Sequence, residues 1–318
     1  MYQSLNLDLT NFNQFEIDYL NNFLQNNDIE EADKNRNIYG WYLLKTAQKI
    51  PNFFIHLAKY YKTIKNYERS FSWFNFGAQL DNQYSQYQLG KIYGKGFSSP
   101  NFDVIKNKEL SFQYYLKSAQ NGLFSSQKRI AGFYENGTGG APLDREISLF
   151  WYKKCAKKED NYSISTIGLF YENGWGGLPQ NYDKAYKYYK ITADKGYHWG
   201  FYKIGTMHEY GMKFPINFEK AFFNYKQAIS NGSLIARFQL GKWYENGLYV
   251  QQDFEEALKL FMYSAKRHCK YSSYHLGELY ENGMIVEKDL EKALEWYKKA
   301  KEYGYVGADD KIYELEYV

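Results

Sequence analysis

Ile167-Gly168-Leu169-Phe170-Tyr171-Glu172-Asn173-Gly174 decides the fold, because the chain returns to this phrase throughout its length. Leu89-Gly90 to Tyr93, Ile130-Ala131 to Tyr134, Ile204-Gly205 to His208, Leu240-Gly241 to Tyr244 and Leu276-Gly277 to Tyr280 restate its first half, and Leu57-Ala58 to Tyr61 is a weaker copy. Successive Gly or Ala positions lie 32, 41, 37, 37, 36 and 36 residues apart. A period in this range marks a stack of paired helices. Four residues ahead of each Leu or Ile stands a small residue (Ser85, Ser126, Ser163, Gly200, Ala236, Ser272) on the same helical face. A second helix is therefore expected to pack closely on this one, helix A. Glu-Asn-Gly at 135–137, 172–174, 245–247 and 281–283, with Gly96 and Gly211 in the same place, provides the left-handed glycine that closes a helix.

Helix B opens with Tyr182-Asp183-Lys184-Ala185, Phe218-Glu219-Lys220-Ala221, Phe254-Glu255-Glu256-Ala257 and Leu290-Glu291-Lys292-Ala293, its acids placed where they favour the macrodipole. Along it a small residue, an aromatic pair three and four positions later and another small residue recur, as in Ser111, Tyr114-Tyr115 and Ala119 or Ala185, Tyr188-Tyr189 and Ala193. Those offsets make one apolar stripe, which is packing and not a cofactor box.

The recurring Leu-Gly, Tyr, Asn-Gly, Lys-Ala and Trp-Tyr positions resemble the Sel1-like repeat family, relatives of the tetratricopeptide repeats, over roughly residues 50 to 304. The resemblance implies an all-α fold: a right-handed α/α superhelical solenoid of about seven helix-turn-helix repeats with helical caps. Residues 51–306 would form the solenoid. Residues 1–50 are amphipathic but off the pattern, and are expected to be an N-terminal helical cap, with Tyr42-Leu43 and Thr46-Ala47 readable as a decayed repeat. Residues 307–318 would be a C-terminal capping helix in which Ala308 and Ile312 keep the helix A spacing. Local departures are the lengthened loop from Phe97 to Lys108, His208 in place of Tyr, and a first repeat lacking its Gly and Lys-Ala marks. The insertions Thr138 to Pro142 and Trp175 to Pro179 are expected to project from one edge.

Composition narrows the function. The 318 residues carry 40 basic and 36 acidic side chains, 44% hydrophobic residues and 35 tyrosines. Such a chain builds a core, and a net charge of +4 spread along it does not announce a nucleic-acid surface. Lys153, Lys154, Lys157 and Lys158 read as a solvated outer face. No apolar run approaches the length of a membrane span, and the N-terminus has no signal-peptide pattern. Cys155 and Cys269 fall in repeats that are not neighbours and are expected to stay free thiols, so a cytoplasmic protein is expected.

No phosphate loop, zinc helix or nucleophile elbow is present. The histidines at 56, 198, 208, 268 and 275 have no metal-ligand spacing, and His208 should fill the Tyr slot as a core residue. The sequence thus points to no catalytic residue, no metal and no cofactor. Binding is sought instead on helix A positions the repeat leaves free, which in such solenoids line the concave face. Five residues before the Leu or Ile stand Tyr84, Tyr162, Trp199 and Tyr271; two before stand Tyr87, Tyr202, Phe238 and Tyr274; two after stand Lys91 and Lys242. Amphipathic aromatics in an open groove suit the core of a protein interface, although the two-before ring also fits plain packing between repeats.

The expected function is a non-enzymatic scaffold holding another protein in that groove. Resemblance to the family implies a bacterial cytoplasmic adaptor or an immunity protein that neutralises a toxin. The competing reading, an enzyme or a binder of small molecules or cell-wall fragments, draws on secreted relatives with a cysteine pair per repeat, which this chain lacks.

Overall fold

The computed structural model describes residues 53–316; the cap expected over residues 1–50 lies outside the described residues. The chain divides into two compact units, Met1–Trp151 and Tyr152–Val318. In the first, α1 (Phe53–Thr63), α2 (Tyr67–Gln79), α3 (Gln83–Lys95), α4 (Lys108–Gln120) and α5 (Phe124–Asn136) follow in order, with a short ribbon of β1 (Phe97–Ser99) and β2 (Phe102–Val104) between α3 and α4. Helix α6 (Arg145–Ala156) carries the division. The second unit contains α7 (Asn161–Asn173), α8 (Tyr182–Asp194), α9 (His198–Tyr210), α10 (Phe218–Ser230), α11 (Leu234–Asn246), α12 (Phe254–Ala265), α13 (Lys270–Asn282), α14 (Leu290–Glu302) and α15 (Ala308–Glu316). Among α1 to α5 and among α7 to α15, each A helix packs on the B helix after it, and that B helix on the next A helix. This is an α/α solenoid, as the periodicity implies.

Close approach explains why the pattern demands glycine. A Cβ on Gly90, Gly168, Gly205, Gly241 or Gly277 would lie 2.5–2.9 Å from a ring carbon of Tyr115, Tyr189, Tyr225, Phe261 or Tyr297. The second ring of each B-helix aromatic pair thus lies against the A-helix backbone and is buried. The first ring stacks on the pattern Tyr of helix A, Tyr114 on Tyr93 at 5.6 Å and Tyr188 on Tyr171 at 5.7 Å. Asn107, Asn181, Asn217, Asp253 and Asp289 cap the B helices through their side chains, each accepting from a backbone N–H three residues on.

Two local expectations change. Gly137, Gly174, Gly211, Gly247 and Gly283 close A helices in the left-handed conformation, but Gly96 has ψ 167 and sends the chain into the antiparallel ribbon, pairing Phe97 with Val104. The long loop is therefore a hairpin. The insertions fold back: Ala141 is buried, Gly139 lies against the Phe133 ring, and Trp175 meets Phe170 edge-on at 5.9 Å. A Cβ on Gly140 would lie 2.7 Å from the Lys108 carbonyl, so the first insertion closes on the start of α4. Helix α15 buries Ala308 and Ile312 against the preceding helix.

Candidate functional site

A row of carboxylates joins successive A helices in the second unit, and it fixes which residues remain for binding. Each comes from the Glu five residues after the pattern Leu or Ile. Glu172 of α7 accepts a hydrogen bond from Tyr189 Oη (2.7 Å) of its own B helix and pairs with Lys203 Nζ (2.6 Å) of α9. Glu209 of α9 accepts from Tyr225 Oη, and from Gln239 Nε2 (2.9 Å) and Trp243 Nε1 (3.0 Å) of α11. Glu245 of α11 meets His275 Nε2 (3.1 Å) of α13, and Glu281 of α13 takes Tyr297 Oη (2.6 Å) and Lys311 Nζ (3.1 Å) of α15.

The arriving donors Lys203, Gln239, His275 and Lys311 all stand one residue before the pattern Ile or Leu. The ladder therefore has the repeat's own register. At the third rung the ring is Phe261, which has no hydroxyl, and Lys242 fills in at 2.6 Å from Glu245. Burial and the neighbouring carboxylates push the phenols of Tyr189, Tyr225 and Tyr297 well above their usual range, so they remain protonated donors. Burial would raise the carboxyls of Glu245 and Glu281, but their bonded partners outweigh it and hold both below the ordinary value. Sequence reading missed this ladder, although the two columns of glutamate and donor residues were visible signals.

The expected aromatic positions fall into two groups. In the first unit Tyr84 packs on Phe74 at 6.5 Å under Lys59, and Tyr87 packs on Tyr115 at 5.7 Å with Lys91 Nζ 5.8 Å from its ring. In the second unit Tyr162 lies 6.0 Å from Tyr152, and Trp199 lies 5.1 Å from Tyr202. Phe238 and Tyr271 stack at 6.1 Å, Tyr305 meets Tyr271 edge-on at 6.0 Å, and Tyr274 stacks on Tyr305 at 4.1 Å. Tyr305 was not among the sequence candidates; it follows helix B, outside the repeat phrase.

The two columns differ. Tyr87, Tyr202, Phe238 and Tyr274 each rest on the buried B-helix ring of their own repeat, Tyr115, Tyr225, Phe261 and Tyr297. Burial, with Tyr210, Glu209 and Tyr271 nearby, drives the Tyr202 phenol well above its ordinary value. Tyr162 and Tyr271 are exposed, and Trp199 is half-buried. Lys242 is engaged by Glu245, whereas Lys91 lies beside the Tyr87 ring and pairs with no carboxylate among the described residues.

Among the described residues, no three or more His, Cys, Asp or Glu side chains are grouped to hold a metal ion, and no helix is long and apolar enough to cross a membrane. His208 is buried and stacked on Phe214 at 4.6 Å; burial and then Lys220 lower its pKa, which favours neutral imidazole. Cys155 and Cys269 are buried and neither forms a disulfide.

A family model, the Sel1 repeat, matches residues 60–82, 83–123, 125–160, 166–197, 202–233, 234–267 and 270–305. A Sel1 repeat protein from Oxalobacter formigenes is similar in structure, with a TM-score of 0.59 and 24% identity over 77% of this chain and 98% of that one. A protective antigen of uropathogenic Escherichia coli with an SLR fold gives 0.53 and 22% over 88% of this chain and 60% of that one. An immunity protein from Pseudomonas aeruginosa gives 0.52 and 17% over 70% and 81%. No curated protein matches the sequence.

Proposed function

This chain belongs to the Sel1 repeat family, whose repeats mediate protein–protein interaction, and from that premise we propose that it is a non-enzymatic scaffold holding a partner protein on the A-helix face of its second unit. The observation that carries the reading is the row Tyr162, Trp199 and Tyr271. These rings occupy the same A-helix position in different repeats and none is fully buried; Trp199 lies beside Tyr202, and Tyr271 beside Phe238 and Tyr305. Large rings with a polar tip, left partly open while every deeper ring is covered, suit the desolvated centre of a protein interface. The carboxylate ladder lies within the same helices and holds neighbouring A helices in register, which keeps such a surface pre-organised.

The finer reading is a cytoplasmic partner-neutralising protein or adaptor. The Pseudomonas immunity protein shares the fold and motivates it. The test is affinity capture from the producing organism's lysate with the wild type and a Tyr162→Ala/Trp199→Ala/Tyr271→Ala variant, followed by co-expression of the captured partner. A partner lost by the variant, and toxic unless the wild type is co-expressed, is the expected result. Capture that is indifferent to all three substitutions would remove this face from consideration.

A further inference from the structure

The ladder has a missing rung in the first unit, and the other departures from the repeat gather around it. Where Glu172, Glu209, Glu245 and Glu281 stand, α3 has Gly94. Tyr115 occupies the position of Tyr189, Tyr225 and Tyr297, and Arg129 that of Lys203, Gln239, His275 and Lys311. The two donors of a rung are thus in place while the carboxylate between them is gone. Arg129 lies over the Tyr115 ring at 5.0 Å and the Phe133 ring at 6.0 Å.

At this point the surface forms a cleft of about 480 Å³ lined by Gly94, Tyr115, Arg129 and Phe133 together with lysines 91, 95, 106 and 108. No acidic residue lines it, and none of its five cations pairs with a carboxylate among the described residues. Lys106 and Lys108 come from the segment that follows the inserted hairpin, and Gly139, in the inserted loop after α5, forms part of the wall. Three separate breaks in the repeat converge on one cavity. Its volume is that of a small-molecule site.

We infer that this cleft binds a small phosphorylated molecule carrying at least two phosphate groups, one of which takes the place of the absent glutamate between Tyr115 and Arg129. Five positive side chains around so small a space call for several negative charges close together. Guanidinium and ammonium groups bind phosphate oxygens through charge-assisted hydrogen bonds, and the Arg fork matches phosphate geometry. A peptide carboxylate offers one charge per residue, too dilute for this volume. The inference is independent of the protein-binding face, which lies in the other unit.

The probe is inorganic triphosphate, titrated calorimetrically into the full-length protein at low salt. Binding at one site per chain is expected, weakening as salt rises. Arg129→Gln should weaken it about tenfold or more. The sharper variant is Gly94→Glu/Ser111→Ala. A Cβ at Gly94 would lie 2.8 Å from Ser111 Oγ, and the intact rungs have alanine at that position (Ala185, Ala221, Ala257, Ala293), so the pair rebuilds an internal rung. It should keep the wild-type circular dichroism, melt no lower, and lose triphosphate. Lys157→Ala, outside the cleft, should bind as wild type.

No heat with triphosphate, or undiminished binding by both folded variants, would overturn the inference; should the rebuilt rung fail to fold, Arg129→Gln decides alone. Tighter binding of a hexaglutamate peptide or a short single-stranded oligonucleotide, lost in the same variants, would overturn it in favour of a macromolecular ligand.

Discussion

Glu172 and Lys203 offer the strongest test of the ladder. Their side chains are 9% and 10% exposed and their charged atoms are 2.6 Å apart, so each neutralises a charge that water scarcely reaches. Removing one member of such a pair strands the other, which costs about 3–5 kcal/mol. Glu172→Gln keeps an acceptor for the Tyr189 hydroxyl and belongs at the lower end, about 3 kcal/mol. Lys203→Met keeps the stem's packing but leaves the carboxylate with Tyr189 alone, for a loss of similar size. Replacing both removes both buried charges, and the double variant should lie within about 1 kcal/mol of wild type. Urea unfolding followed by circular dichroism and extrapolated to water gives the four free energies. These values together imply a coupling of about 5 kcal/mol. If the two losses simply add, the pair is two independent surface-like charges and the ladder does not join α7 to α9.

His275 adds a pH dependence of defined sign. Burial lowers its pKa, but hydrogen bonds to Glu245 and Glu278 outweigh that, with Lys242 opposing, and the net value lies above 6.5. Its stabilisation is complete below the unfolded value and fades as pH rises through the folded one; that of Glu245, whose value is lowered from 4.5, fades as pH falls through its folded value. His198 and His208, lowered chiefly by burial, act in the opposite sense to His275. The stability difference between wild type and His275→Gln should therefore shrink between about pH 6 and pH 8, and a constant difference would refute the assignment. At Gly241, alanine would bring its Cβ to 2.5 Å from the Phe261 ring, and overpacking should cost about 1–3 kcal/mol. An unchanged melting temperature for Gly241→Ala would mean that this contact relaxes freely.

The architecture was legible because it is written seven times. The Leu-Gly phrase and the B-helix aromatic pair follow from the close approach now seen at Gly90, Gly168, Gly205, Gly241 and Gly277, and the closing glycine from the left-handed backbone that ends helix A. The hairpin was not legible: Gly96 and Gly174 hold the same place in the repeat, and the loss of Glu-Asn before Gly96 does not say that its backbone turns toward extended while that of Gly174 stays left-handed. The insertions were expected to project, yet Ala141 is buried and Trp175 packs on Phe170 of the helix it follows. Helix periodicity groups the side chains of one helix and is silent on rows that run across helices. The ladder needed alignment of columns between repeats, and the same limit hid Tyr305, which completes the stack on Tyr274 from beyond the phrase.

A repeat protein contains its own comparison, so the meaning of a departure depends on whether the chain compensates for it. His208 stands for tyrosine and stacks on Phe214, but its buried Nδ1 has no hydrogen-bond partner among the described residues. Phe261 stands for tyrosine and cannot donate to Glu245, and His275 and Lys242 supply the hydrogens instead. The Phe261 exchange closes within the protein. Gly94 differs: it removes a carboxylate and leaves Arg129 facing four lysines with no acid in the cleft. Mutual repulsion there opposes folding, and the obvious remedy, a glutamate, is what the other rungs use. A site that forgoes a stabilising residue present in its own neighbours carries a cost that a bound anion would remove.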